Sequence, residues 1–353
     1  MIQQSSTALT VAASTLDWHY KNSHESRVSG LGSRDLLFDY PLTHKHKALS
    51  VIRSPTLSAL SITMPMIPLL RTMRPHEWIK NFFVLAALIF SKHVFDPDYL
   101  LRGGLAFLCF CLISGAVYLF NDIKDRENDR QHPKKRHRPI ASGALSVAVA
   151  SVASVIFTLA ALCGGFYLHP HFGIVLLIYA GQNIAYTLYL KNVVILDVMI
   201  IAAGFLLRAI GGALAIQVAI SSWFILCTML LSLFLGFAKR RQELILLEEG
   251  ASSHRRILEE YSAQFLDQVI AVVTSGALLS YALYTMSPEV AEKLGTQHLN
   301  LTIPFVIYGM LRYLYLVYNK GGGGNTASTV LGDPPLLIAC GLWLLTLGGV
   351  LYF

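Results

Sequence analysis

YLFNDIKDRENDRQHPKKRHRPIASG, Tyr118 to Gly143, is the stretch whose reading decides the fold. One apolar run ends at Phe120 and another begins at Ala144, so dense charge lies between two apolar segments. Asp122, Asp125 and Asp129 lie three and four residues apart, directly after Asn121. On a helix that spacing places three carboxylates on one face, where like charges repel. A divalent cation reverses the sign of that interaction. Mg²⁺ keeps several waters and takes one or two carboxylates plus substrate phosphates. Lys134, Lys135, Arg136 and Arg138 follow at once and suit phosphate. Acid for a metal beside base for phosphate predicts a metal–diphosphate site at a membrane surface. Its metal ligands would be Asn121, Asp122, Asp125 and Asp129. The competing reading is a solvated loop that only sets topology. The regular acid spacing and the adjoining basic run favour the site.

Working outward, the chain has 353 residues, 54% hydrophobic and 14% charged. Soluble domains carry roughly 25% charged residues. The apolar residues come in long runs, which excludes a soluble enzyme and predicts an integral membrane protein. Every backbone polar group must be satisfied inside the bilayer, and runs this long are helices rather than barrel strands. The formal charge of +7 sits mainly at span ends, which argues against a nucleic-acid partner. All five cysteines lie in apolar runs without metal-ligand spacing, as small core residues do.

The runs predict an all-α protein of about nine transmembrane helices around a central cavity. Residues 1–65 read as a cytoplasmic, partly disordered extension, and residues 66–353 as the membrane domain. The first span is expected at Ile79 to Phe95 and the second ends at Phe120. The third covers Ala144 to Leu168, the turn His169-Pro170-His171 follows, and the fourth ends in YTLYLKN, Tyr186 to Asn192. The sixth is expected to end at Ala238, where a second charged loop begins, Gly236 to Ser262. Lys and Arg concentrate on one side, which puts the N-terminus and both charged loops in the cytoplasm and the C-terminus outside. Asp197 and Arg208 lie within span five. Charges there usually face the bundle interior. Arg208 reads as structural, and Asp197 is evenly balanced between structure and function.

NDIKDREND, Asn121 to Asp129, resembles the first Asp-rich motif of the UbiA superfamily of membrane prenyltransferases, and RPIASG, Arg138 to Gly143, is similar to its continuation. The resemblance runs from about residue 70 to the C-terminus. It implies Mg²⁺ and a UbiA-like bundle in the cytoplasmic (inner) membrane with its active site facing the cytoplasm. Most members carry a second Asp-rich motif in the second loop. This chain has Lys239, Arg240, Arg241 and Glu243 there instead. RPHEWIKN, Arg74 to Asn81, and FAKRRQEL, Phe237 to Leu244, resemble the polyprenyl-phosphate phosphoribosyltransferase branch. That branch moves 5-phosphoribose from phosphoribosyl pyrophosphate to decaprenyl phosphate, releases pyrophosphate, and serves arabinose donors of the cell envelope. The resemblance implies catalytic Asp122, Asp125 and Asp129. It implies substrate contacts from Lys80, Asn121, Lys134, Arg138, Tyr189, Lys191, Lys239 and Arg240.

Electrostatics agrees with the changed loop. The donor carries about five negative charges and the lipid phosphate about two more, as ionised phosphates do near neutral pH. Two acidic loops would repel that load. Two alternatives remain at this point: an aromatic prenyltransferase using prenyl diphosphate, and a membrane transporter. The Asp-rich stretch argues against the transporter, and no matched pair of broken helices supports one. Membrane lipids are expected partners. The oligomeric state stays open, a homo-oligomer included.

Overall fold

The computed structural model of the chain describes residues 66–133, 135–248, 256–324 and 326–352. The N-terminal extension, Lys134 and the middle of the second charged segment fall outside the described residues. The elements are helical throughout. Thirteen α-helices follow in order: α1 Met66–Met73, α2 Ala86–Phe90, α3 Pro97–Lys124, α4 Arg126–Gln131, α5 Val147–Leu168, α6 Pro170–Leu188 and α7 Leu196–Ala215. Then come α8 Ser222–Glu248, α9 Ala263–Met286, α10 Pro288–Leu294, α11 Ile303–Asn319, α12 Thr326–Leu331 and α13 Pro334–Tyr352.

Among the described residues, seven helices are long and apolar enough to cross a membrane, built on α3, α5, α7, α8, α9, α11 and α13. The apolar runs of the sequence predict about nine. The two remaining places have physical explanations. The expected first span is a 3₁₀ helix, Pro75–Leu85, followed by the five residues of α2. Arg74 before it adopts a left-handed backbone with φ 55°, and Pro75 opens the 3₁₀ helix without an N–H to donate. The other place is α6. Its 19 residues have nearly the length of a span, at 1.5 Å per residue, but Gln182 and Asn183 lower its hydropathy.

Local chemistry sets the ends of these helices. Asp96 caps α3 by accepting from the Asp98 N–H, with Pro97 at the first position. Ser146 and Ser262 cap α5 and α9 through the N–H groups of Val149 and Phe265. Helix α3 is the central post. Its apolar window is 61% buried, against 17% for α5, which turns most of its surface outward. The core around α3 contains Phe110, Phe172, Leu176 and Tyr179, from α3 and α6. A second core unites α8, α9 and α11 through Phe234, Ile270 and Tyr313.

Gly212 is where α7 meets the 3₁₀ helix. A Cβ at this position would lie 1.9 Å from the Val84 carbonyl oxygen, so only glycine permits the approach. Gly212→Ala must push backbone apart in a packed region. We expect it to lower stability by about 1–3 kcal/mol, read as a lower melting temperature in detergent. An unchanged melting curve would show that the 3₁₀ helix does not pack against α7 in solution.

The second charged segment is largely helix. Helix α8 runs to Glu248, ten residues past its expected end at Ala238. Lys239, Arg240, Arg241 and Glu243 therefore stand at helical register, on different faces, and not on one loop.

Candidate functional site

The Tyr118–Gly143 stretch folds as a compact cap. Helix α3 continues to Lys124, Asp125 ends it, and α4 restarts at Arg126. A 3₁₀ turn, Lys135–His137, leads to Arg138. The segment then folds back, with Ile140 and Leu145 buried against Met73, Leu119 and Ala150. Arg130 closes the cap by donating to the Ala141 carbonyl, 3.2 Å away.

The three aspartates pair with three cations, Asp122 and Asp129 in one network and Asp125 beside it. Arg74 Nη2 lies 2.6 Å from Asp122 Oδ1. Arg138 Nη1 lies 3.1 Å from the same oxygen and 2.7 Å from Asp129 Oδ2. Lys191 Nζ lies 3.3 Å from Asp125 Oδ1. Asp122 and Asp129 are both buried, at 2% and 3% exposure, so neither can be left with its charge uncompensated. The Arg74 guanidinium also covers the Tyr118 ring at 4.7 Å. Three positive and three negative groups balance, with Asp122 and Asp129 buried and Lys191 and Asp125 each partly exposed.

This differs from the expected face of three carboxylates. Among the described residues, no group of three His, Cys, Asp or Glu side chains comes together to hold a metal. The helix break at Asp125 is the reason. It turns Asp125 toward Lys191, while Asp122 and Asp129 converge on Arg138. The convergence is informative. One cationic nitrogen already occupies the point between two buried carboxylates, and two carboxylates plus phosphate oxygens and water are what Mg²⁺ takes. The residues thus fit such an ion, with Asp122 and Asp129 as the pair and Arg138 standing in its place.

The other expected site residues divide. Asn121 Oδ1 accepts from the Thr187 hydroxyl, so it ties α3 to α6. Lys191 is held by a three-residue 3₁₀ turn, Leu190–Asn192, and joins the set. Lys80 pairs with Glu77 at 2.5 Å, within the 3₁₀ helix. Burial alone would raise the Glu77 carboxyl; the Lys80 ammonium outweighs it and holds that carboxyl below the usual range. Lys239 lies 3.9 Å from Glu243 and is part exposed. Tyr189 does not join: it is 71% exposed, and its hydroxyl makes no hydrogen bond among the described residues.

Arg240 requires the largest correction. Expected to present its charge to phosphate, it is 1% exposed and points into the bundle. Its Nε donates to Asp197 Oδ2 at 2.6 Å and its Nη1 to Glu243 at 2.5 Å. Tyr261 donates to the other Asp197 oxygen at 2.7 Å and accepts from the Ile195 N–H at 2.6 Å. The evenly balanced reading of Asp197 therefore resolves toward structure. Arg208 is structural as expected: it donates to Asn81, Gly204 and Tyr179, and not to Asp197. Sequence reasoning missed Arg74 as a site residue. The signal that could find it is its place at the head of the RPHEWIKN motif.

Comparison with known proteins follows the same lines. The profile of the UbiA prenyltransferase family matches residues 81–322. A decaprenyl-phosphate phosphoribosyltransferase of Mycolicibacterium smegmatis is 34% identical over 296 residues, 81% of this chain and 92% of that protein. The protein of the same description from Corynebacterium glutamicum is 32% identical, over 78% of this chain and 84% of its own length. Among solved structures, a UbiA homolog from Archaeoglobus fulgidus bound to GPP and Mg²⁺ superposes with a TM-score of 0.60. It is 15% identical and covers 81% of this chain and all of its own, so it speaks for the fold.

Proposed function

The chain belongs to the UbiA prenyltransferase family, and from that premise we propose that it is a polyprenyl-phosphate phosphoribosyltransferase. A phosphate oxygen of decaprenyl phosphate attacks the anomeric carbon of phosphoribosyl pyrophosphate. The bond from that carbon to the pyrophosphate oxygen breaks, and pyrophosphate leaves with the electron pair. The product is decaprenyl-phosphoryl-5-phosphoribose, for arabinose donors of the cell envelope. The site faces the cytoplasm from the inner membrane.

One observation carries the reading: three cations already gathered on three carboxylates at one end of the bundle. A phosphate-rich donor can take Arg74, Arg138 and Lys191 from the aspartates. The freed carboxylates can then hold Mg²⁺, whose contribution is to neutralise charge on the leaving pyrophosphate. The exchange keeps the set near neutrality, so charge is not stranded out of water at any stage. A guanidinium matches phosphate with two parallel donors, which suits Arg74 and Arg138 to hold and orient it. The lipid phosphate is ionised near neutral pH, so no general base is required.

The test is a substrate panel on purified protein. Labelled phosphoribosyl pyrophosphate with decaprenyl phosphate is the expected productive pair. A prenyl diphosphate with an aromatic acid is the competing pair, favoured by the ligand in the A. fulgidus structure. Product from the second pair alone would overturn the proposal. Lys191→Gln removes one charge-assisted bond of about 1.5–3 kcal/mol, so we expect donor affinity to fall roughly tenfold or more. A donor KM unchanged in this variant would show that Lys191 merely anchors its helix end.

A further inference from the structure

We propose a second binding site, for a phosphate-bearing amphiphile, at the end of the bundle opposite the aspartates. A cavity of about 370 Å³ lies there, lined by the turn before α3, the connection between α7 and α8, and α10. Its volume is in the range of small-ligand sites, about 300–1,000 Å³. Most of the length of α3 separates Tyr99, in its lining, from Asp122, so it is not part of the site already described.

Its charge is unusual for its place. Residues 91–99, 215–222 and 286–300 make up these connections and hold two Lys or Arg residues between them, Lys92 and Lys293. Both line this one cavity. Neither lies within ion-pair distance of a carboxylate among the described residues. Lys293 Nζ donates to the Ala219 carbonyl at 2.7 Å, which fixes it across the opening and leaves further protons to donate. His93 stacks on Tyr99 at 3.9 Å and adds a third nitrogen-bearing group to the lining.

The backbone is also unusual here. Four non-glycine residues among those described have positive φ, and two of them, Lys92 at 64° and Gln217 at 58°, line the cavity. L residues seldom adopt that conformation, and such outliers collect at ligand sites. The inner lining is apolar: Phe90, Phe224 and the buried Tyr284. Lysines that only anchored a helix end would spread over the head-group layer. Two lysines in one lining with Phe90, Phe224 and Tyr284 suit an anion that carries a hydrocarbon chain. The shared chemistry is a net-anionic phosphate monoester with a lipid tail.

Native mass spectrometry of the full chain in detergent tests this, with dioctanoyl phosphatidate as the probe. We expect one saturable adduct. The neutral dioctanoyl phosphatidylcholine should give none, and inorganic phosphate alone should not compete at equal concentration. Lys92→Gln with Lys293→Gln should weaken the adduct at least tenfold, with transfer activity unchanged. The Lys92→Arg and Lys293→Arg pair should retain it, which separates lost charge from lost folding. Equal adducts in wild type and the Gln pair would overturn the proposal. Competition by inorganic phosphate as strong as by phosphatidate would overturn the amphiphile and leave a simple anion site.

Discussion

Asp129→Ala is expected to reduce phosphoribosyl transfer at least about a hundredfold while leaving the protein folded, since one buried charged group in such a site contributes several kcal/mol. Asp129 shares Arg138 with Asp122, and its carboxylate lies 2.7 Å from Arg138 Nη1. Without it, Asp122 alone would have to balance two guanidinium groups and, once the donor has taken them, hold the cation. Glu127 supplies the control. It lies two residues away on the same short helix, but it is 70% exposed and pairs only with Arg126 and Arg130. Glu127→Gln should therefore stay within about twofold of wild type, as exposed pairs contribute little. Single-turnover release of labelled pyrophosphate separates the two variants. Excess chelator should stop turnover in the wild type, and added Mg²⁺ should restore it. Near-normal release from Asp129→Ala would remove the carboxylate pair from the reaction.

Asp197→Ala should act on folding. Asp197 is fully buried and holds Arg240 and Tyr261. Removing it leaves a guanidinium inside the bundle with Glu243 as its remaining partner. Breaking a buried pair on one side costs about 3–5 kcal/mol. We expect a large drop in melting temperature and a smaller folded fraction on size exclusion. The double variant Asp197→Ala with Arg240→Met removes both charges and should recover much of that loss, because the two effects are coupled. The folded fraction of Arg240→Gln should keep its donor KM. A stable Arg240→Gln protein with a tenfold higher KM would show instead that Arg240 clamps phosphate.

These two residues mark the boundary of what a sequence carries. The polytopic helical fold was legible because apolar runs of membrane length admit one backbone solution. Helix starts at Asp96, Ser146 and Ser262 rest on local caps, each reaching two or three residues. The Asp-rich stretch and its basic neighbour were legible as chemistry, and so was the proximity of Lys191, on a turn too short to wander. The count of spans was less secure. Residues 79–95 read as a span in sequence, and the 3₁₀ form of residues 75–85 goes with the left-handed Arg74 and the close packing of Val84 on Gly212.

Only the tertiary structure decided which cation meets which acid. The partners of Asp122, Asp125 and Asp197 lie 48, 66 and 43 residues away along the chain, on other helices. Periodicity reports the face of one helix and says nothing about what packs against it. An arginine at the end of an apolar run therefore reads alike as a lipid anchor, a phosphate clamp or half of a buried pair. Arg74 and Arg240 both fit that description in sequence. Packing leaves the first at the surface beside Asp122 and seals the second inside with Asp197, and it is desolvation, a property of the assembled bundle, that gives them different work.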